Sequence, residues 1–180
     1  MLIFSDDTDP YNKPSIYATE DGNYLVLFVS TAKEHGNMVK VSQFVDGILS
    51  NPASIQWISI FGDYSTEAGY LTNEGTRFWF YVSHPEKSPR GKIVAIDLSD
   101  IEGGFTDVVP ETIDTLTDVT VVYGDRLVLV YLREVKHVMY IHELDTGKRI
   151  GQLDVPLGTI SDTSGRKRYS DFFVSLAIAF

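Results

Sequence analysis

Residues 21–29 read DGNYLVLFV, a glycine-containing turn followed by an uninterrupted apolar run. Glycine adopts a positive φ without a Cβ clash, so an Asp-Gly pair suits the tight turn of a β-hairpin. The apolar run at 25–29 is too short for a typical helix and predicts a strand that is buried on both faces. The chain is therefore expected to contain hairpins whose second strand lies inside a core.

The same arrangement recurs along the chain, at intervals of 45 to 53 residues. The apolar runs are residues 25–29, 78–82, 127–132 and 172–178. A glycine precedes each run: Gly22, Gly75, Gly124 and Gly165. Helical periodicity is almost absent between the runs. A repeat of this length built from short strands is typical of β-propeller blades.

The remaining strands fit a repeating unit of four. First strands are predicted at residues 15–19, 67–72, 116–123 and 158–163. Third strands are predicted at 38–44, 92–98 and 138–144, and fourth strands at 55–61, 105–109 and 149–155. Residues 2–4 are predicted to be the last strand of a preceding unit.

The predicted fold class is therefore all-β, a β-propeller segment of about three four-stranded blades with flanking strands of two more. The blades are expected at residues 15–61, 64–110 and 116–155, between the end of a preceding blade at 1–4 and an incomplete blade at 158–180. A β-sandwich is the alternative. Propellers usually have four to eight blades, so we expect the whole protein to be longer than this chain.

The composition argues against several function classes. A formal net charge of −10 argues against a nucleic-acid partner, which needs a basic surface, and against docking on anionic membranes. The absence of cysteine excludes disulfides and thiol chemistry. No apolar run approaches the length of a membrane span and no targeting segment is visible. The four histidines are scattered, so no metal and no cofactor is expected. The expectation is a soluble, cytoplasmic protein.

Five stretches carry a resemblance to a known family. They are ATEDGNYL at 18–25, LTNEGT at 71–76, LVYLREVK at 129–136, HELDTG at 142–147 and SGRK at 164–167. They follow one another over nearly the whole chain, and LTNEGT is the most specific of them. With these motifs the sequence resembles the propeller domain of the prolyl oligopeptidases, which are serine peptidases of the cytosol.

The resemblance implies a seven-bladed propeller that caps an α/β-hydrolase domain, in a protein that cleaves short peptides after proline. The catalytic Ser, Asp and His would lie on the hydrolase domain, which follows the propeller in the chain. Residues 1–180 contain no Gly-x-Ser-x-Gly nucleophile elbow. This chain alone is therefore expected to have no peptidase activity. Its expected role is a filter that admits short peptides and excludes folded proteins.

Candidate substrate-binding residues come from one face of the implied propeller. Loops between second and third strands share a face with the loops between blades, because successive strands alternate in direction. The resemblance turns this face toward the hydrolase domain. The candidates are Ser30, Lys33, His35, Asp63 and Arg90. The same loops also carry Glu34, Asn37, Tyr64, Lys87, Arg133 and Lys136.

One candidate position departs from the family pattern. The family commonly places an arginine just after the strand at 25–29, where it reaches the bound peptide. This sequence has Ser30 there, and Lys33 follows three residues later. A lysine offers a point charge instead of a bidentate fork, so altered substrate contacts are expected.

Other residues are interpreted structurally. Trp57 and Trp79 stand among apolar residues of predicted strands and are expected to pack in a core. His142, on a predicted third strand, is interpreted as a satisfied strand histidine and not as a ligand.

Two alternative functions stay open. A peptide macrocyclase of the same family would use a peptide amine in place of water as acyl acceptor. A non-enzymatic, protein-binding propeller or sandwich is the alternative from a different class. The expected partners of the leading hypothesis are short peptide substrates and the hydrolase domain of the same protein.

Overall fold

The computed structural model describes residues 4, 9–45, 47, 50–156 and 158–177, without the side chain of Ala53. The chain divides into two compact units, Met1–Tyr70 and Leu71–Phe180. No helix in the described ranges is long and apolar enough to cross a membrane.

The first unit contains one antiparallel sheet whose strands follow chain order. The strands are β1 (Lys13–Ala18), β2 (Tyr24–Ser30), β3 (Asn37–Gln43) and β4 (Ile58–Phe61). Leu27 of β2 pairs with Ile16 and Lys40 on either side, so β2 is an inner strand. Val26, Leu27 and Val29 are completely buried, as the apolar run at 25–29 predicts.

The second unit contains most of a four-stranded sheet, a complete second one and a hairpin. The first sheet has β5 (Glu67–Glu74, which begins in the first unit), β6 (Arg77–His84), β7 (Ser88–Asp97) and β8 (Thr106–Val109). The next has β9 (Thr115–Val122), β10 (Arg126–Arg133), β11 (Lys136–Glu143) and β12 (Arg149–Leu153). The hairpin pairs β13 (Thr159–Gly165) with β14 (Phe172–Ala177).

Strand β10 shows why the second strand of a repeat is apolar on both faces. Leu127 and Leu129 point into a cluster with Trp79 of β6. Val128 and Val130 point the opposite way, into a cluster with Ile160 of β13. Alternate side chains of one strand thus pack into two separate cores. Burial of apolar surface in each core stabilises the fold by about 25 cal/mol per Å².

Three of the four predicted turn glycines adopt the expected conformation. Gly22, Gly75 and Gly124 have φ values of 73°, 54° and 76° in the turns between first and second strands. Gly165 was expected in the same role, and this prediction is wrong. It ends β13 opposite Phe172, and a Cβ there would meet side-chain carbons of Thr120 and Val122 in β9. The absence of a side chain at Gly165 permits close packing of the hairpin on β9.

Two further predictions are corrected, and a third lies mostly outside the described residues. The strand expected at 55–61 begins only at Ile58, because a 3-10 helix occupies Pro52–Ser54 and ends with the extended residue Ile55. Trp57 therefore lies outside a strand and is partly exposed, whereas Trp79 is fully buried as expected. In the predicted strand at 2–4, residues 2 and 3 lie outside the described ranges, and Phe4 is not in a strand.

Candidate functional site

Two loops of the first unit are joined by backbone hydrogen bonds. The amide of Gly36, which ends the loop between β2 and β3, donates to the Tyr64 carbonyl at 3.1 Å, and the amide of Asn37 donates to Thr66 at 3.0 Å. A Cβ on Gly36 would overlap the carbonyls of Tyr64 and Thr66, so only glycine fits. The loop at 31–36 and the loop at 62–66 therefore form one surface, which we call the loop pair.

The Asn37 side chain fastens the loop pair to the beginning of β5. Its Nδ2 donates to the Ala68 carbonyl at 3.0 Å, and its Oδ1 accepts from the Ala68 amide at 2.9 Å. A side-chain amide thus makes the two hydrogen bonds that a neighbouring strand residue would make. Asn37 is half-buried, and this role in positioning the loop is structural.

Lys33 is the best-defined candidate on the loop pair. Its Nζ lies 2.7 Å from Asp9 Oδ2 and 5.0 Å from the centre of the Tyr11 ring. The lysine side chain is 59% exposed. The ammonium group is therefore partly compensated in charge and remains exposed.

The other three candidates of this unit are polar groups at the same surface. Ser30 ends β2, and its hydroxyl lies 3.4 Å from the Lys13 carbonyl. Asp63 accepts hydrogen bonds from the amide and hydroxyl of Ser65 at 2.9 and 2.6 Å, which shapes the second loop. His35 is exposed. The structure thus brings together the loop that carries Lys33 and His35 and the loop that carries Asp63, and Ser30 directly precedes the first of these loops.

The fifth candidate, Arg90, belongs to the second unit. Its backbone amide donates to Glu111 Oε1 at 2.6 Å, and its side chain is exposed. Glu111 lies in the loop between β8 and β9, and the same loop is contacted by Arg133 at the end of β10. Its Nε and Nη2 both contact Asp114 Oδ2, at 2.8 and 2.5 Å.

A cleft in the second unit was not predicted from the sequence. It lies between the loop after β8 and the sheet β9–β12, has a volume of about 330 Å³, and is mostly apolar. Tyr140 is central to its lining: the guanidinium carbons of Arg149 and Arg133 lie 4.7 and 5.9 Å from the ring centre. The Tyr131 ring lies 6.0 Å away on β10. We call this the Tyr140 cleft.

The Tyr140 cleft also contains a half-satisfied histidine. Nδ1 of His142 lies 2.7 Å from the Gly147 carbonyl, so this nitrogen carries the proton and donates. Nε2 is buried and has no hydrogen-bond partner within the described residues. The pKa of His142 is lowered, mainly because the ring is buried. The hydrogen bond to Gly147 raises this pKa, and the charge of Arg149 lowers it. The expectation of a satisfied strand histidine is correct for Nδ1 and wrong for Nε2.

The phenol of Tyr131 is held in its neutral form. Burial, the Asp114 carboxylate and Tyr140 raise the pKa of Tyr131 to about 12. The hydrogen bonds to Asp114 raise the pKa of Arg133, which keeps its charge at every ordinary pH. In the described part of the chain, no group of three or more His, Asp or Glu side chains could hold a metal ion.

The sheets define the class of protein. Each complete sheet has four antiparallel strands in chain order, and β10 packs apolar residues on both faces, as propeller blades do. The chain belongs to the family described as prolyl oligopeptidase, N-terminal beta-propeller domain, which matches residues 1–177.

Individual relatives agree with this assignment. The chain is 30% identical to "Prolyl oligopeptidase A" of Galerina marginata over 97% of its own length and 23% of that protein. It is 28% identical to "Dual function macrocyclase-peptidase POPB" of Amanita bisporigera, over 98% of this chain and 24% of that protein. It superimposes on the apo structure of prolyl oligopeptidase B from Galerina marginata with a TM-score of 0.87 and 25% identity, covering 98% of this chain and 24% of that one. The chain spans about a quarter of the length of these relatives.

Proposed function

We propose that this chain is the substrate-gating propeller portion of a prolyl-oligopeptidase-like serine peptidase that cleaves short peptides after proline. The observation that carries the proposal is the family match over residues 1–177. A hydrolase domain of the same protein would supply the Ser, His and Asp for acyl transfer, because residues 1–180 contain no nucleophile elbow. The contribution of this chain is to restrict access and to contact the peptide.

The loop pair is the proposed contact surface for the peptide. Its two loops are fixed to each other and to β5, so groups on it keep their positions when a substrate arrives. Lys33 supplies a positive charge, with His35 beside it in the same loop and Ser30 at the end of β2. Asp63 lies on the second loop, and Arg90 is proposed to contact substrate from its own unit.

Kinetics of the full-length protein test the role of Lys33. Lys33→Gln is expected to raise KM for a short acidic peptide up to about fivefold with kcat unchanged, because exposed ion pairs contribute about 0.2–1 kcal/mol. Asp9→Asn removes the carboxylate that compensates Lys33 and is expected to lower KM. Lys148→Gln, at an exposed turn lysine after β11, is the charge-matched control. Equal KM values for wild type, Lys33→Gln and Asp9→Asn would refute a substrate contact at Lys33.

A peptide macrocyclase is the second candidate function. It is favoured by the likeness to proteins that are named dual function macrocyclase-peptidases. In both reactions a serine ester forms first; water then gives a linear acid, whereas the peptide's own amine gives a ring that is one water lighter. Mass spectrometry of products from a long proline-containing peptide separates the two. A full-length protein that makes neither product would favour the non-enzymatic, protein-binding alternative.

We also propose a cytoplasmic location for the protein. The absence of cysteine is compatible with a reducing compartment, and the acidic composition suits a protein in solution. Fractionation of cells with an antibody against this chain tests the proposal, and recovery in the medium or in membranes would overturn it.

A further inference from the structure

The Tyr140 cleft has the dimensions of a small-ligand site. Its volume of about 330 Å³ falls in the range of pockets that hold small molecules or the end of a peptide. Ile113, in the loop after β8, lines it and is 83% exposed, and Pro110 of the same loop extends the apolar wall. Such a large exposed apolar side chain beside a concave aromatic surface offers binding area to an apolar ligand.

The charges in the Tyr140 cleft favour an anion. Of the two guanidinium groups, that of Arg133 is compensated by Asp114. Arg149 has no carboxylate within ion-pair distance among the described residues, and its guanidinium lies over the face of the Tyr140 ring. The lining therefore has an excess positive charge, in a chain whose formal net charge is −10. An exposed guanidinium on an aromatic ring is well placed to bind a carboxylate with two parallel hydrogen bonds.

A buried histidine acceptor adds a polar element to the same wall. With the proton on Nδ1, Nε2 of His142 presents a lone pair that no described group satisfies. A buried acceptor without a partner costs free energy, and this acceptor carries no positive charge. Tyr131 remains a neutral phenol and can donate a further hydrogen bond.

We propose that the Tyr140 cleft binds an apolar monocarboxylate, with the carboxylate on Arg149 and the apolar body against Tyr140 and Ile113. The Tyr140 cleft and the loop pair are built from different segments of the chain. The proposed ligand site does not depend on the proposed peptidase function. Two sources share this chemistry: a free aromatic acid and the C-terminal residue of a peptide.

Calorimetric titration of the full-length protein tests the proposal with two matched pairs of probes. The first pair is 3-phenylpropionate and its amide, and the second is acetyl-Gly-Phe and its C-terminal amide. At least one acid is expected to bind about tenfold or more tightly than its amide, since only the acid forms charge-assisted hydrogen bonds. The pair with the tighter acid identifies the source.

The variants locate the interaction. In Arg149→Gln the acid and the amide are expected to bind alike, whereas Arg126→Gln, which removes an arginine paired with Asp125 on the same sheet, keeps the preference. Ile113→Ser is expected to weaken acid and amide equally. The proposal is overturned if neither acid binds, if acid and amide bind equally to the wild type, or if the preference survives in Arg149→Gln. The titrations measure binding and not peptidase activity. A failure of the ligand proposal would therefore leave the proposed function unaffected.

Discussion

Gly147 is a residue whose identity is dictated by a close approach. It has a φ of 65°, and a Cβ would overlap the carbonyl oxygen of Val108 on β8. The same residue supplies the carbonyl that accepts from His142. A side chain here would therefore disturb both the contact with β8 and the wall of the Tyr140 cleft.

We predict that Gly147→Ala lowers the free energy of unfolding by about 3 kcal/mol or more, because overlap with backbone adds to left-handed strain. Gly124→Ala is the matched control: its φ is 76° but a Cβ there would meet nothing within 4 Å. The control is expected to cost only about 1 kcal/mol. Urea unfolding measures both, and equal losses would contradict the steric explanation.

The depressed pKa of His142 predicts a pH-dependent stability. Above the unfolded-state pKa of about 6.5, both states hold a neutral imidazole and this stability is fully present. As the pH falls below that value, the unfolded chain takes up the proton first, so the free energy of unfolding decreases until the folded-state pKa is passed.

His142→Asn retains an N–H near the position of Nδ1 and cannot titrate. We predict that it loses less stability than the wild type between about pH 7.5 and about pH 5. Chemical denaturation at the two pH values checks this. An equal loss in both proteins would assign the acid sensitivity to other groups.

At the scale of elements, the hairpin β13–β14 is fastened to β9 by one carboxylate. Asp118 Oδ2 accepts from the amide and the hydroxyl of Thr163, each at 2.6 Å, and the Thr163 hydroxyl also contacts Thr120 at 2.6 Å. Asp118 Oδ1 accepts from the Val119 amide at 2.8 Å. Both carboxylate oxygens of Asp118 therefore act as hydrogen-bond acceptors.

We predict that Asp118→Asn destabilises the hairpin by about 1–3 kcal/mol, because one oxygen becomes a donor that faces another donor. The amide of Thr163 should then exchange hydrogen faster. Asp162→Asn, at an exposed neighbour on β13, is the control and should leave the exchange unchanged. Unchanged protection of Thr163 in Asp118→Asn would show that the Asp118 carboxylate does not hold the hairpin.

The sequence predicted the elements well where a strand has its own signal. The apolar run at 25–29 and the Asp-Gly turn before it determine β2 by themselves. The fourth strand at 55–61 was misplaced because Pro52 starts a 3-10 helix whose end depends on local geometry. Gly165 was misread because the need for glycine arises from β9, which is distant in sequence.

The candidate sites differ in the same way. The loops that carry Ser30, Lys33 and His35 could be recognised because loop position follows from strand order. The Tyr140 cleft could not, because Tyr140 and Arg149 meet only through the pairing of β11 with β12. The lack of a hydrogen-bond partner at Nε2 of His142 results from three-dimensional packing, so no sequence pattern could have indicated it.

At the scale of the whole molecule, an activity assay can test the proposal that the catalytic groups belong to a separate hydrolase domain. We predict that the isolated residues 1–180 do not cleave a Gly-Pro reporter peptide, because they lack a nucleophile elbow. The full-length protein, assayed in parallel, is the positive control. Measurable turnover by the isolated chain would place catalytic groups within these residues.

The amide bridge between Asn37 and Ala68 has a consequence for assembly. Free peptide groups along a strand edge recruit foreign strands, which is a common route to aggregation. Here a side chain occupies both hydrogen-bonding positions of Ala68, so an incoming polypeptide finds no vacancy at that residue. A foreign strand is thereby kept from pairing with β5 at Ala68, which limits the recruitment of other chains at this edge.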